Sequence, residues 1–234
     1  MIFKRKDGNV KRKQEILSRS KSSFSQCGED LIVEYIFRLR GIELPSYIDI
    51  GANDPFYLNN TALFYEKGCR GINIEANPKL INALNKYRPE DKNLNLGIGS
   101  TEEELIFYIV NDHTLSSFSK KEIEVITSTG KYKVEEVIKI KVLTVEHVLS
   151  KYWKDDFPDF LTLDAEGMDL EILKSIRFSI HRPKVMCVEA AEYSKIGAGK
   201  RRRDLIDYIT SQNYYEYANT NLNAILVDKD FWFI

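Results

Sequence analysis

The stretch Tyr47-Ile48-Asp49-Ile50-Gly51-Ala52-Asn53-Asp54-Pro55 decides the reading of this chain. It runs as a short apolar strand carrying one carboxylate, Asp49, and breaks at Gly51 and Ala52, which allow a tight turn. In open parallel sheets, ligands bind beyond the carboxyl ends of the strands, and small residues there let the backbone approach a ligand closely. The dinucleotide fingerprint is excluded, because one glycine stands where that motif needs three. A carboxylate at the first turn would also repel a pyrophosphate; it suits a cationic ligand part such as an ammonium or a sulfonium. A second strand-like run, Gly71-Ile72-Asn73-Ile74-Glu75, ends in an acid 26 residues after Asp49. An acid at that place can accept hydrogen bonds from both hydroxyls of a ribose. One glutamate at a strand end is an ordinary solvated group. Two acids at the tips of consecutive strands read as a cofactor site.

Outward from this segment the pattern alternates. Further strand-like runs lie at Asn93–Leu96, Phe160–Asp164 and Lys184–Glu189. Between them apolar residues recur at helical spacing: Leu31, Ile32, Tyr35, Ile36 and Leu39; then Leu80, Ile81, Leu84 and Tyr87 behind the cap pair Asn77-Pro78. Leu170, Leu173 and Ile176 form a third stripe, and Leu205, Ile206 and Ile209 a fourth. Strands alternating with helices predict an α/β fold with a parallel sheet covered on both faces. Tyr214–Tyr217 and Ala224–Val227, joined by Asn219-Thr220-Asn221, predict a terminal antiparallel pair. Leu105–Val110 and Val137–Leu143 alternate as half-buried strands do, and predict an inserted hairpin-like excursion. Its long polar connection carries His113, Ser116, Ser117 and Ser119.

Composition sets the outer bounds. With 234 residues, 43% hydrophobic and 29% charged, the chain is an ordinary globular protein with material for a sizeable core. Cys27, Cys69 and Cys187 are too few and too scattered for a disulfide framework or a cysteine-type zinc site. No apolar run approaches the ~20 residues that cross a bilayer, and no apolar h-region follows Met1-Ile2-Phe3. The expected location is therefore cytoplasmic. A formal net charge of −1 excludes a globally basic nucleic-acid binder. It conceals an asymmetry, because residues 1–22 hold eight basic side chains against Asp7 and Glu15. The expected plan is a loosely ordered basic tail over 1–22 and one domain over 23–234. The tail reads first as solvated; its charge would also allow weak contact with an anionic membrane, at ~1 kcal/mol per basic residue near the surface. Nucleic acid is a weaker use of it.

The segments Ser25-Gln26-Cys27-Gly28-Glu29-Asp30, Asp49-Ile50-Gly51-Ala52-Asn53, Gly71–Glu75, Arg88-Pro89-Glu90-Asp91-Lys92-Asn93-Leu94-Asn95 and Leu163-Asp164-Ala165-Glu166-Gly167, in this order, resemble the FkbM-like methyltransferases of the class I S-adenosylmethionine-dependent group. The resemblance implies a Rossmann-like seven-stranded sheet with a reversed C-terminal strand, and O-methylation, often of sugars or other secondary metabolites. It places Asp49, Gly51, Ala52 and Asn53 on the methionine-binding turn, Glu75 and Ala76 at the ribose, and Ile98 to Ser100 near the adenine. It also lets the segment around Gln26 close over the cofactor or acceptor; read from residues alone, Ser25 and the acids after Gly28 are a helix cap. Cys69 stands where the family often has an aromatic residue, a position expected to pack.

Methyl transfer from a sulfonium is an in-line displacement that needs a positioned acceptor and removal of its proton. Asp164 and Glu166 at the fourth strand tip, and Glu189 at the fifth, are the candidate catalytic acids, with Asp164 also beside the cofactor. His113 in the excursion is a further candidate, with an exposed loop histidine as the plainer reading. His147 and His181 read as structural. Some sugar O-methyltransferases of this class use magnesium to grip vicinal hydroxyls; Asp164 and Glu189 would be its ligands here. Lys200-Arg201-Arg202-Arg203 reads as a solvated helix start, or as a grip on an acceptor phosphate or carboxylate.

The expected function is O-methylation of a sugar or glycan hydroxyl, nucleotide-linked or lipid-linked, with S-adenosylmethionine as cofactor. A nucleic-acid methyltransferase anchored by the tail is the first alternative; Asp164-Ala-Glu-Gly stands where amino-methylating enzymes carry an Asn/Asp-Pro-Pro-aromatic motif. A non-catalytic cofactor-binding partner domain is the second, and the acids around the expected methyl argue against it.

Overall fold

The computed structural model describes residues 21–128, 130–153, 155–165, 167–191 and 199–233. The chain begins with α1 (Glu29–Leu39) and continues through β1 (Tyr47–Ile50), α2 (Ala62–Glu66), β2 (Gly71–Ile74), α3 (Pro78–Tyr87) and β3 (Lys92–Leu94). The excursion follows: β4 (Gly97–Ile98), β5 (Glu103–Val110), a 3-10 turn (His113–Leu115), α4 (Lys120–Thr127) and β6 (Val134–Leu143). The alternation then resumes with α5 (Val145–Tyr152), β7 (Phe160–Leu163), α6 (Asp169–Ser175), β8 (Val185–Glu189) and α7 (Arg203–Ser211). The described chain closes with β9 (Tyr214–Asn219), β10 (Asn223–Asp228) and α8 (Lys229–Trp232).

Seven strands form one sheet in the order β3-β2-β1-β7-β8-β10-β9. All neighbours pair in parallel except β10, which runs against both β8 and β9. The reversed strand expected at the C-terminus is thus β10, slotted between β8 and β9. Successive strand residues face opposite sides, so β1 sends Ile48 and Ile50 into one core and Tyr47 into the other. The first core packs against α5, α6 and α7 through Val148, Ile172, Leu173, Leu205 and Ile209. The second packs against α1 and α2 through Val33, Ile36, Phe37 and Phe64. Burial on both faces explains why these strands read as near-continuous apolar runs.

Three local expectations are corrected, while the expected hairpin is present: β5 and β6 pair antiparallel, and β4 adds in parallel to make a three-stranded sheet, β4-β6-β5. Its connection is helical over α4, because Ser119 caps Glu122 N and Ile123 and Ile126 are buried. The residues Asn95 and Leu96, expected to lengthen the third strand, instead turn the chain into β4. Ser25 is not the cap of α1: the cap position is Gly28 at φ 87°, with no side-chain bond. Ser25 and Ser23 donate instead to the buried Asp30 carboxylate, at 2.9 and 2.6 Å. The N-terminal tail expected over 1–22 lies outside the described residues except Lys21 and Ser22, and Lys21 pairs with Glu34.

Candidate functional site

The strand order reverses between β1 and β7, and the carboxyl ends of β1, β2, β7 and β8 open there into a cavity of about 650 Å³. This is where an open α/β sheet binds ligands. Gly51 turns the chain at the tip of β1 with φ 83°. Its N–H and that of Ala52 both donate to the Ile74 carbonyl at 3.0 Å, and the Asp164 N–H donates to the Ile50 carbonyl at 3.0 Å. A Cβ at Gly51 would lie 3.0 Å from the Asp164 carbonyl carbon and closer still to its oxygen. The turn therefore fits only because residue 51 has no side chain.

Asp49 is buried beneath this turn and accepts from the Thr61 hydroxyl at 2.7 Å. Thr61 in turn accepts from Arg88 at 2.9 Å. Arg88 is fully buried, and its remaining guanidinium donors reach Asn59, Tyr47 and Asp91. Asp91 also accepts from Gly71 N and Asn73 Nδ2. One cation thus ties β1, β2 and the loop after β1 into a rigid floor. Burial pushes the Asp49 carboxyl up to about 6, against the opposing pull of Arg88 and Thr61.

Glu75 follows β2 directly and is almost wholly buried. One of its oxygens accepts from Asn53 N at 2.9 Å and the other from Asn77 N at 2.7 Å. Burial, reinforced by the Asp49 charge, pushes it up to about 7, while those backbone donors oppose the shift. The Asn53 backbone sits at φ 51°, and its Oδ1 is buried without a hydrogen-bond partner among the described residues. Ala76 and Ile98 line the same cavity. Leu96, Phe107 and Phe118 extend that apolar wall, with Phe107 and Phe118 ring centroids 4.7 Å apart. Ser100 is not on the wall; its hydroxyl turns outward to Glu171 of α6.

Beside the Gly51 turn, Asp164 and Glu189 stand on the tips of the neighbouring strands β7 and β8 and line the cavity. Burial pushes Glu189 up, and the nearby negative charges of Asp164 and Asp169 add to it. Asp169 is buried and held by Arg202 at 2.6 Å and by Ala165 N at 2.7 Å. Glu166 lies outside the described residues. His113 lines the wall from the 3-10 turn, with Nδ1 buried and unpartnered among the described residues. Gln26 lines the cavity from the segment before α1. That segment is clasped by Glu29, which accepts from Thr220 at 2.7 Å and from Asn223 at 2.9 Å.

The structure adds groups not foreseen. Glu122 of α4 reaches the cavity, accepts from the Ser117 hydroxyl at 2.8 Å, and is pushed up by burial. A Cβ at Gly167 would lie 2.6 Å from Glu122 Oε1, so the β7 tip loop is shaped around this carboxyl. The spacing Ser119-Lys-Lys-Glu122 ahead of Ile123 and Ile126 is the helix-start signal that points to it. Of the Lys200–Arg203 run, Arg202 lines the cavity paired with Asp169, and Arg201 pairs with Glu216. His147 bonds Glu102 and the His181 ring packs on Phe157, both away from this cavity.

Among the described residues no three His, Cys, Asp or Glu side chains assemble as a metal site. Asp164 and Glu189 are left as a pair, since Asp169 is already taken by Arg202. Among the described residues the magnesium ion considered from sequence thus finds its two expected ligands and no third acid grouped with them.

The family model described as the methyltransferase FkbM domain matches residues 49–216. No curated protein matches the chain. Among solved structures, methyltransferase FkbM from Methylobacillus flagellatus KT shares 15% identity over 79% of this chain, with a TM-score of 0.46. A putative caffeoyl-CoA O-methyltransferase from Staphylococcus aureus shares 11% identity, covering 94% of this chain and 91% of its own, at a TM-score of 0.48. The O-methyltransferase from Bacillus cereus in complex with SAH shares 11% identity, covering 96% and 92%, at 0.42. The present chain spans 44% of the length of the Methylobacillus flagellatus chain.

Proposed function

This chain belongs to the FkbM methyltransferase family, and on that premise we propose that it transfers a methyl group from S-adenosylmethionine to a hydroxyl of a sugar or glycan. The observation that carries the reading is the pairing, in one cavity, of a buried strand-tip acid and a side-chain-free turn with the carboxyls of Asp164 and Glu189 on the neighbouring strand tips. The residues fit the cofactor. Glu75 offers its carboxylate to the ribose hydroxyls, the Gly51–Asn53 turn offers backbone and the unpartnered Asn53 Oδ1 to the methionine part, and Ile98 with Leu96 and Phe118 offers apolar surface to the base. The floor acid Asp49 suits the positive charge of that ligand.

Bound there, the cofactor supplies an electrophilic methyl group on a sulfonium. The chain's own task is to orient the acceptor oxygen and remove its proton. Burial and the charges of Asp164 and Asp169 raise the proton affinity of Glu189, and it serves as base from its ionised form, which the positive charge of the bound cofactor favours. It accepts the hydroxyl proton as the oxygen–carbon bond forms, leaving a methyl ether and a neutral carboxyl. Asp164 and His113 flank the same volume and would orient further hydroxyls. A cytoplasmic location, and weak contact of the basic N-terminal residues with anionic lipid, belong to the same proposal; no helix among the described residues is long and apolar enough to cross a membrane.

The test is methyl transfer from isotopically labelled S-adenosylmethionine to a panel of monosaccharides, nucleotide sugars and oligosaccharide fragments, read by mass spectrometry. A labelled methyl ether supports the reading. Label found on nitrogen or carbon only, or retained on the cofactor with every acceptor, overturns it.

A further inference from the structure

The loop between β1 and α2 turns two large apolar side chains outward at the cavity. Tyr57 is 62% exposed and Leu58 37% exposed, and both line the cavity. Leu58 holds a left-handed backbone at φ 53°, a conformation that a bulky side chain rarely adopts. Folded proteins keep such residues where the surroundings over-determine them, commonly at ligand sites. The surroundings here are explicit. Asp54 Oδ1 accepts from Phe56 N at 2.9 Å and Tyr57 N at 2.8 Å. Asn59, almost fully buried, sends its amide to the Ala52 and Asp54 carbonyls and takes Arg88 on its oxygen. Its N–H donates to Phe24 O at 3.1 Å, and the Phe24 and Phe56 rings pack 6.0 Å apart. The loop is therefore pinned from below and from the segment carrying Gln26. Yet Tyr57 and Leu58 cover no core.

Gln26 is exposed at the same cavity and brings a side-chain amide to it. The carboxyls of Glu189, Asp164 and Glu122 line the same cavity. The ligand that matches this sequence of surfaces has an apolar face with hydroxyls at its edges. A plain hydrocarbon would desolvate those carboxyls without pairing them, which is costly. An anionic ligand would meet three carboxyls. A neutral pyranose ring satisfies both requirements, with its C–H face on the tyrosine ring and leucine side chain and its hydroxyls toward amide and carboxyls.

We propose that Tyr57, Leu58 and Gln26 form a carbohydrate subsite that holds a pyranose ring of the acceptor at the mouth of the cavity. The inference rests on the sugar-acceptor reading above and assigns its recognition to a named surface. Leu58 contributes by being presented in a strained conformation, so its role separates from fold stability. Asparagine tolerates the left-handed region far better than leucine does. Leu58→Asn therefore keeps or raises the melting temperature while removing the apolar contact.

The experiment uses the full chain saturated with S-adenosylhomocysteine. Saturation-transfer difference NMR probes methyl α-D-mannopyranoside, methyl α-L-rhamnopyranoside and methyl β-D-galactopyranoside, with cyclohexanol as the apolar ring without a rim of hydroxyls. At least one pyranoside should bind, with saturation concentrated on the C–H protons of one ring face, and cyclohexanol should bind at least tenfold more weakly. Tyr57→Ala and Leu58→Asn should each weaken that pyranoside about tenfold, with S-adenosylhomocysteine affinity unchanged. The melting temperature of Leu58→Asn should not fall by more than about 2 °C. Pyranoside binding that is equal in wild type and both variants overturns the subsite and leaves the sugar reading standing. Binding of none of the pyranosides to wild type overturns the sugar reading and the subsite together. Cyclohexanol binding as well as the pyranosides, or a Leu58→Asn protein that melts well below wild type, overturns the proposal in favour of a merely apolar or structural patch.

Discussion

Replacing Gly51 with alanine tests the turn on which the cofactor site depends. Two costs can be separated. The backbone at φ 83° imposes a left-handed penalty of about 1–2 kcal/mol on any residue with a Cβ. The methyl group would also press into the Asp164 main chain, 3.0 Å from its carbonyl carbon and closer to its oxygen. That carbonyl cannot withdraw freely, because β1 and β7 pair along Tyr47–Ile50 and Phe160–Leu163 and Asp164 N is bonded to Ile50 O at 3.0 Å. Overpacking of this kind costs about 1–3 kcal/mol, and loss of the strand-end hydrogen bond about 1 more. The expected total is about 3–6 kcal/mol. Gly68→Ala is the control: φ is 93°, but no heavy atom lies within 4 Å of the added Cβ. It should lose about 1 kcal/mol, part of the left-handed penalty being offset by the stiffer unfolded chain. Urea unfolding followed by circular dichroism measures both, and calorimetry measures S-adenosylhomocysteine binding to the folded fraction. Equal destabilisation by the two substitutions would refute the steric argument. A folded Gly51→Ala protein that binds with wild-type affinity would refute the placing of the cofactor at this turn.

Glu75→Ala should weaken S-adenosylhomocysteine binding by about 1–3 kcal/mol, since the ribose hydroxyls lose a buried partner; calorimetry on the folded variant checks this. Because ribose hydroxyls donate to the ionised carboxylate, wild-type affinity should rise with pH up to about 7 and then level, a dependence that Glu75→Gln should flatten. Asp49 and Glu75 have folded values near 6 and 7, above those of an unfolded acid, so the folded state binds extra protons in between. Their contribution to stability should therefore fall as pH rises from about 4 to 7 and stay constant above, and urea midpoints should lose part of that slope in Asp49→Asn. Arg88→Met should cost about 3–5 kcal/mol, because Asp91 is left charged and buried; a loss under about 1 kcal/mol by urea unfolding would dissolve the floor network. Glu189→Gln should lower turnover about 10²–10⁴-fold while cofactor affinity stays at the wild-type level, and wild-type turnover would remove Glu189 as base.

What the sequence alone determined is what short-range physics controls. The run at Tyr47–Ile50 could be read as a strand because it is apolar and ends at a glycine. Asn77-Pro78 could be read as a helix start because the asparagine oxygen caps Lys79 N at 3.0 Å and proline has no N–H to lose. Glu75 could be placed because a strand tip follows from where the strand ends. Tertiary structure decided which distant groups share a volume. Arg88 gathers Tyr47, Asn59, Thr61 and Asp91 only because β1 and β2 pair in the register Tyr47 with Gly71. Glu122 enters the cavity only because the excursion packs its helix against the loop after β7. Ser100, two residues beyond Ile98, leaves the site because β4 joins the smaller sheet and the chain turns toward Glu171. Periodicity reports the face a residue takes within its own element. The partner across that face is set by strand register and crossover, which bring together residues tens of positions apart and leave no mark in the local pattern.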